Sequence, residues 1–267
     1  NRDYPPRLTA DSGDTLHLEL RDASDGQVSP GMTAEQFAGI DTTRIHALTG
    51  PVGIRDAEPG DRLIIEILDC VHEGWGWTSI IPGLGALPED FDTHFLHIWE
   101  LEDEVTRSMP GLTIPLAPFC GIIGVQPAEY GEFRTRPPGT HGGNMDVRHL
   151  TAGSTLHLPV LTPGAGLCAG DAHAAQGDGE VSINGIEAPM RVSLRVSLAK
   201  GAAPGGPYIA CPGPLEPRPF RDCAHHIFTE SDESIRSAAQ RVVRRAIDYL
   251  VRRCGLSREQ AYAACSV

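Results

Sequence analysis

Met190, Val192, Leu194, Val196 and Leu198 alternate strictly with Arg191, Ser193, Arg195 and Ser197. A period of two belongs to a β-strand, whose successive side chains point to opposite faces. One face of this strand must therefore be covered by a core. Thr15–Leu20 alternates in the same way, and Arg62–Asp69 is a β-rich run entered by the turn Pro59-Gly60-Asp61. His94–Leu101 and Glu104–Met109 read as a weaker strand pair leading to Gly111–Pro115. Gly74-Trp-Gly-Trp77 reads as a packed corner rather than a pocket wall, because buried aromatics mostly serve packing. Residues 201–218, rich in Pro and Gly, read as loop.

The period then changes. Ile235, Ala238, Ala239, Val242, Val243, Ala246, Ile247, Leu250 and Val251 recur at three and four, giving one apolar helix face. Ser231 is the expected N-cap, with Asp232 and Glu233 in the first turn, Arg252 and Arg253 in the last, and Gly255 as the stop. Ser257-Arg-Glu-Gln260 reads as a capping box for a shorter helix. The sum predicts a mainly β body over 1–220 and a C-terminal α-helical hairpin over 229–265, α+β overall, in one compact unit. Thirty glycines and 22 prolines favour short elements joined by turns.

The net charge of −13 argues against a nucleic-acid partner, which needs a basic footprint. No run of 18 apolar residues is present, so no membrane span is expected. No secretory leader is visible. Seven scattered cysteines, never spaced C-x-x-C, fit neither a disulfide framework nor a structural zinc site. They read as reduced, mostly buried thiols of a cytoplasmic protein.

The stretch from His141 to Glu187 is poor core material. Asn144 and Asp146, Asp171 and His173, and Asp178 and Glu180 are three polar pairs, each two apart, interleaved with glycines. On extended backbone such a pair points to one face and can grip one ion. Oxygen-rich ligation with one imidazole suits Zn²⁺, Ca²⁺ or Mn²⁺, for one ion or two. Any single pair reads better as turn residues capping their own backbone; the three together favour a metal cradle. His141 and His149 flank the stretch, His46 is a further candidate, and His225-His226 reads as structural. Cys168 near His173 is the candidate for thiol chemistry.

These residues, in this order, resemble the acetamidase/formamidase family. The resemblance is carried by Gly50-Pro-Val52, Glu58-Pro-Gly-Asp61, Gly74-Trp-Gly-Trp-Thr78, Ile81-Pro-Gly83, Gly142-Gly-Asn-Met-Asp146, Leu150–Leu156, Gly170–Glu180 and Ile186-Glu187. It runs from about Asp11 to Val267. It implies a β-sandwich body with appended helices, often in homodimers or higher homo-oligomers. It implies hydrolysis of formamide- or acetamide-like amides, or of small lactams, to the acid and ammonia. It carries Asp146, Asp171, His173 and Glu187 over as metal ligands, with Glu180 beside them; zinc is the expected ion and calcium the candidate for a second. His46 stands where many relatives have Asn, and Ser182–Gly185 where a Cys-Gly-Thr-Ala-like segment is expected.

Lys200 is the chain's only lysine and lacks the sequence context of lysine-dependent amidases. An amide hydrolase built this way is expected to activate water on a metal. In that scheme Glu180 or Glu187 handles the proton, and Asn144 helps polarise the carbonyl. Two other expectations compete with it. One is a non-catalytic, small-ligand-binding β-sandwich with a structural calcium; the other is a thiol amidase using Cys168.

Overall fold

The computed structural model describes residues 1–213 and 225–267. Two five-stranded sheets form the body. The first runs Leu8–Ala10, Leu48–Ile54, Leu167–His173, Phe119–Gly124, Gly142–Asn144 across the sheet. The second runs Tyr208–Ala210, Thr155–Pro159, Arg62–His72, Met190–Ala199, Thr15–Leu20. Buried side chains of both sheets join one hydrophobic cluster, so each sheet covers the apolar face of the other.

The alternating Met190–Ala199 strand sits inside the second sheet, antiparallel to both neighbours. Val192 faces Leu18 and Leu194 faces Leu16, while Arg191 and Arg195 point outward. The pattern also sets the register, since a slip of one residue would put four arginine and serine side chains into the core. The register against Arg62–His72 shifts between Ser193 and Leu194, a bulge beyond which that longer strand loses its inward alternation.

Three local expectations change. Gly74–Trp77 is not a corner: Trp75–Ile80 is a strand paired with Phe95–Glu100. Phe95–Glu100 therefore does not pair with the segment after it. Val105–Thr106 forms only a two-residue ladder with Ile114–Pro115. The Trp-rich strand offers six residues with Ile98 opposite Trp77, a better partner than a run broken at Glu102-Asp103. Within 201–218, Tyr208–Ala210 adds an edge strand; residues 214–218, and Cys223, lie outside the described residues.

Helices Ile235–Cys254 and Arg258–Ser266 form the C-terminal pair. The first is capped by Ser234, not Ser231: Ser234 Oγ accepts from the Ser237 N–H, and Asp232 instead accepts from the Ser234 N–H, before the helix. Gly255 ends it in the left-handed region, and Ser257 with Gln260 closes the capping box. Ile247, Ala261, Tyr262 and Ala263 bury against the body. Tyr262 also accepts from the Leu87 N–H and donates to the Val181 carbonyl, while Ser266 Oγ accepts from the Ser182 N–H and donates to the Asn184 carbonyl. The second helix thereby braces the loop that carries Glu180 and leads to Glu187. Among the described residues no helix is long and apolar enough to cross a membrane.

Candidate active site

A cavity of about 190 Å³ opens beside the end of the Leu167–His173 strand. Asp171 and His173 come from that strand, and Asn144 from the edge strand. Asp146 lies two residues further on, Glu180 in the turn after Asp178, and Glu187 where the chain bridges Trp77 and His173. Trp77 and Glu187 exchange two backbone hydrogen bonds of 2.9 Å. The approach is close enough that a Cβ on Gly76 would lie 2.7 Å from the Glu187 carbonyl oxygen. Asp146, Asp171, Glu180 and His46 all have positive φ, between 41° and 64°. Side-chain-bearing residues seldom adopt this region, and its use at four positions around one cavity marks a site whose geometry is imposed by its surroundings.

His173 is the hub. Its Nε2 lies 3.2 Å from Glu187 Oε1 and 3.6 Å from Asp171 Oδ1, and its Nδ1 lies 3.5 Å from Glu180 Oε1. Nδ1 also meets Gln176 Oε1 at 2.8 Å. Gln176 donates its amide Nε2–H to the Asp146 carbonyl at 2.8 Å, so the oxygen end of the amide faces His173. In the neutral imidazole, the form a bound cation requires, the proton then sits on Nδ1 and Nε2 is the nitrogen that turns a lone pair to the cavity. This is how a metal-ligating imidazole is oriented.

Charge is badly unbalanced here. Asp171, His173 and Glu187 are all at most 3% exposed, and Asp146 and Glu180 are half-buried. Four carboxylates thus surround the buried His173 imidazole, with His46 and Arg136 as the further basic side chains in the cavity lining. Burial lifts Asp146 to about 6. Burial, reinforced by the facing Asp146 and Asp171, lifts Glu180 to about 7. Burial also holds Glu187 well above the carboxylate range. Burial works against Asp171 and His173 in the same way. Burial is outweighed at both: His173, with His46 and Glu187, draws Asp171 below its ordinary value, and Glu187 first, then Asp171, raises His173 well above its own. Asn144 Oδ1, Asp146 Oδ1, Asp171 Oδ1, Glu187 Oε2 and His173 Nε2 are buried without a hydrogen-bond partner among the described residues. Five orphaned acceptors around one cavity are costly unless a cation satisfies them. Ligand atoms of Asp146, Asp171 and His173, and of His173, Glu180 and Glu187, form two groups within 4.8 Å. The donor set fits a divalent metal.

The sequence model of the Acetamidase/Formamidase family matches residues 1–130 and 128–267. The chain belongs to the acetamidase/formamidase family. A formamidase-like protein of Schizosaccharomyces pombe is 31% identical over 278 residues, covering 80% of this chain and 67% of its own length. The acetamidase of Mycolicibacterium smegmatis is 28% identical over 262 residues, covering 74% of this chain and 64% of its own. This family member thus spans about two thirds of the length of the curated relatives it matches. Among solved structures, the gamma lactamase from Delftia acidovorans superposes with a TM-score of 0.89 at 28% identity, covering all of this chain and 81% of its own.

Within the family fold, the predicted residues Asn144, Asp146, Asp171, His173, Glu180 and Glu187 all reach one cavity. Asp178 does not: its side chain is 83% exposed and pairs with Arg148. Gly179 turns the chain between the two, so Asp178 and Glu180 do not share a face as they would on a strand. His46 does reach the cavity, with Nε2 3.9 Å from Asp171 Oδ2 and Nδ1 held by Thr135 Oγ1 at 3.0 Å. His141 and His149 line other cavities, and His226 bonds Tyr249. Lys200 pairs with Asp61, remote from this cavity. Cys168 lines a different cavity from His173, and burial pushes its thiol to about 11, which removes the activation a thiol nucleophile needs. Gln176 and Arg136 orient or line the site without having been singled out for it, and Trp77, read from the sequence as packing rather than a pocket wall, does line it. Gln176 was findable, as the one amide three residues beyond His173. Arg136 and the Trp77 wall depend on contacts far apart in the chain.

Proposed function

We propose that this chain is an amidohydrolase that cleaves short linear carboxamides to a carboxylate and ammonia, with small lactams as a further substrate class. We also propose that Asp146, Asp171, His173 and Glu187 hold a divalent cation, zinc, with calcium as the second-ion candidate at the Glu180 side of His173. Family membership supports the amide chemistry. The observation that carries the metal reading is the His173 tautomer: Gln176 fixes the proton on Nδ1, leaving Nε2 as a lone pair among orphaned carboxylate oxygens. When bound, such an ion supplies Lewis acidity, polarising the amide oxygen and lowering the pKa of water from 15.7 toward about 7.

The protein's own groups do the rest. Asn144 donates its amide N–H to the substrate oxygen and fixes the carbonyl's direction. Glu180 is the proton carrier, because its side chain is 17% exposed to the cavity mouth whereas Glu187 is 3% exposed and committed to His173. As water adds to the carbonyl carbon, Glu180 takes its proton. As the C–N bond breaks, Glu180 returns that proton to the departing nitrogen, so amide and water end as carboxylic acid and ammonia, and the acid's own proton then passes to ammonia to give carboxylate and ammonium. Phe37, Trp77 and Ile183 wall the acyl side, which restricts the substrate to small groups and keeps bulk water out.

The test is ammonia release from acetamide and formamide by metal-loaded protein. Glu180→Gln should lower kcat about 10²–10⁴-fold with unchanged zinc content. Full activity in that variant removes Glu180 from the reaction, and turnover that survives exhaustive chelation removes the metal. Metal binding without any turnover would select the ligand-binding sandwich instead.

A further inference from the structure

A second cavity, about 410 Å³, lies behind the acidic one. Chain neighbours divide between the two, Thr135 and Gly143 lining the second and Arg136 and Asn144 the acidic one. Leu48, Thr135, Gly143 and Cys168 line the second cavity, while His46, Arg136, Asn144 and Asp171 line the acidic one. The two differ sharply in chemistry. The acidic cavity gathers four carboxylates. No Asp or Glu lines the second, and Arg7, Arg134 and His141 do. Neither arginine has an ion-pair partner among the described residues, unlike Arg44, Arg55 and Arg244, each of which holds an aspartate. Two exposed guanidinium groups thus line a hollow that has no carboxylate in its own lining to neutralise them.

The rest of the lining is apolar. Tyr4, Leu48 and Phe133 are 56%, 40% and 53% exposed and all turn toward this one cavity. Large apolar side chains left in water singly mean little, but three around a hollow mark a binding surface. The volume is within the roughly 300–1,000 Å³ of small-molecule sites, which pair an apolar lining with a few placed polar groups. A guanidinium selects a carboxylate through two parallel N–H···O bonds.

We propose that this cavity is a second ligand site, selective for small monocarboxylates with a short apolar tail. The carboxylate is held by Arg134 and Arg7 and the tail lies against Tyr4, Leu48 and Phe133. Such acids are the product class of amide hydrolysis, but the site stands whether or not the acidic cavity hydrolyses amides.

Cys168 lies in the cavity lining and reports occupancy. Its slow alkylation by excess iodoacetamide at alkaline pH, where part of this raised but partly exposed thiol is ionised, is followed by mass spectrometry of the Cys168 peptide, in the full chain, with sodium butyrate as probe. Its neutral isostere 2-pentanone and sodium chloride are the controls. Butyrate should slow alkylation saturably, about tenfold at ten times its Kd, since protection follows 1 + [L]/Kd. Chloride and the ketone should not. The Arg7→Gln/Arg134→Gln double variant alters two exposed side chains and should melt like the parent while losing the protection. Absent protection by butyrate, equal protection by the ketone or chloride, or protection retained in the double variant each overturns the proposal. If the variant fails to fold, the three ligands compared on the parent decide it. Acetamide turnover, measured separately, tests the acidic cavity alone.

Discussion

Gly121→Ala perturbs the acidic cavity without adding or removing any charged group. A Cβ there would lie 2.7 Å from Asp146 Oδ1, 2.7 Å from the Asp171 carbonyl oxygen and 3.1 Å from His173 Cε1. Gly121 does not use the left-handed region, so alanine keeps the backbone conformation, and in a strand it should itself gain roughly 0.5–1 kcal/mol over glycine. The whole cost therefore comes from displacement. An ordinary C···O contact is about 3.3 Å, so Asp146 and Asp171 must retreat by about 0.6 Å. Ligand distances in metal sites hold to about 0.2 Å, so the cation should bind about 10–100-fold more weakly, or about 1.4–2.7 kcal/mol. Competition against a chromophoric chelator measures this, with thermal melting of the chelated protein as a control for folding. The chelated variant should melt within the roughly 1–3 kcal/mol range of an overpacked core. Parental metal affinity with full amide turnover would refute the assignment of Asp146 and Asp171 as ligands.

Gln176→Leu should leave the fold intact but release the His173 proton from Nδ1, weakening metal binding about 10–100-fold; unchanged affinity by the same competition assay would show that Gln176 does not set the tautomer. In the chelated protein Asp146 and Glu180 bind protons up to about 6 and about 7, against ordinary values of 3.8 and 4.5. The folded state then holds more protons than the unfolded one across that interval, so its stability falls as pH rises through it. Chelation should accordingly lower Tm more at pH 8 than at pH 5, and an equal loss at both would mean that these carboxylates do not face one another unneutralised.

Strict alternation was enough to place Met190–Ala199 inside a sheet, because one wrong step of register buries an arginine. The period of three and four likewise marked the helix Ile235–Cys254, though not its cap: Ser231 and Ser234 are both plausible, and only the bond to Ser237 distinguishes them. Spacing located Asp171 and His173 but misjudged Asp178, since a two-residue offset implies a shared face only on extended backbone, and Gly179 is left-handed. The pairing of Trp75–Ile80 with Phe95–Glu100, and the arrival of His46 beside Asp171, are set by contacts between distant segments. Neither leaves a local trace in the chain.

The brace on the Glu180 loop has a consequence for synthesis. Tyr262 and Ser266 hold Val181, Ser182 and Asn184 from about eighty positions downstream. A ribosome that has made both sheets has still not made the helix that steadies this loop. A nascent or prematurely terminated chain therefore carries the acids without their scaffold, and the acidic cavity takes its final shape only in polypeptides that reach residue 266.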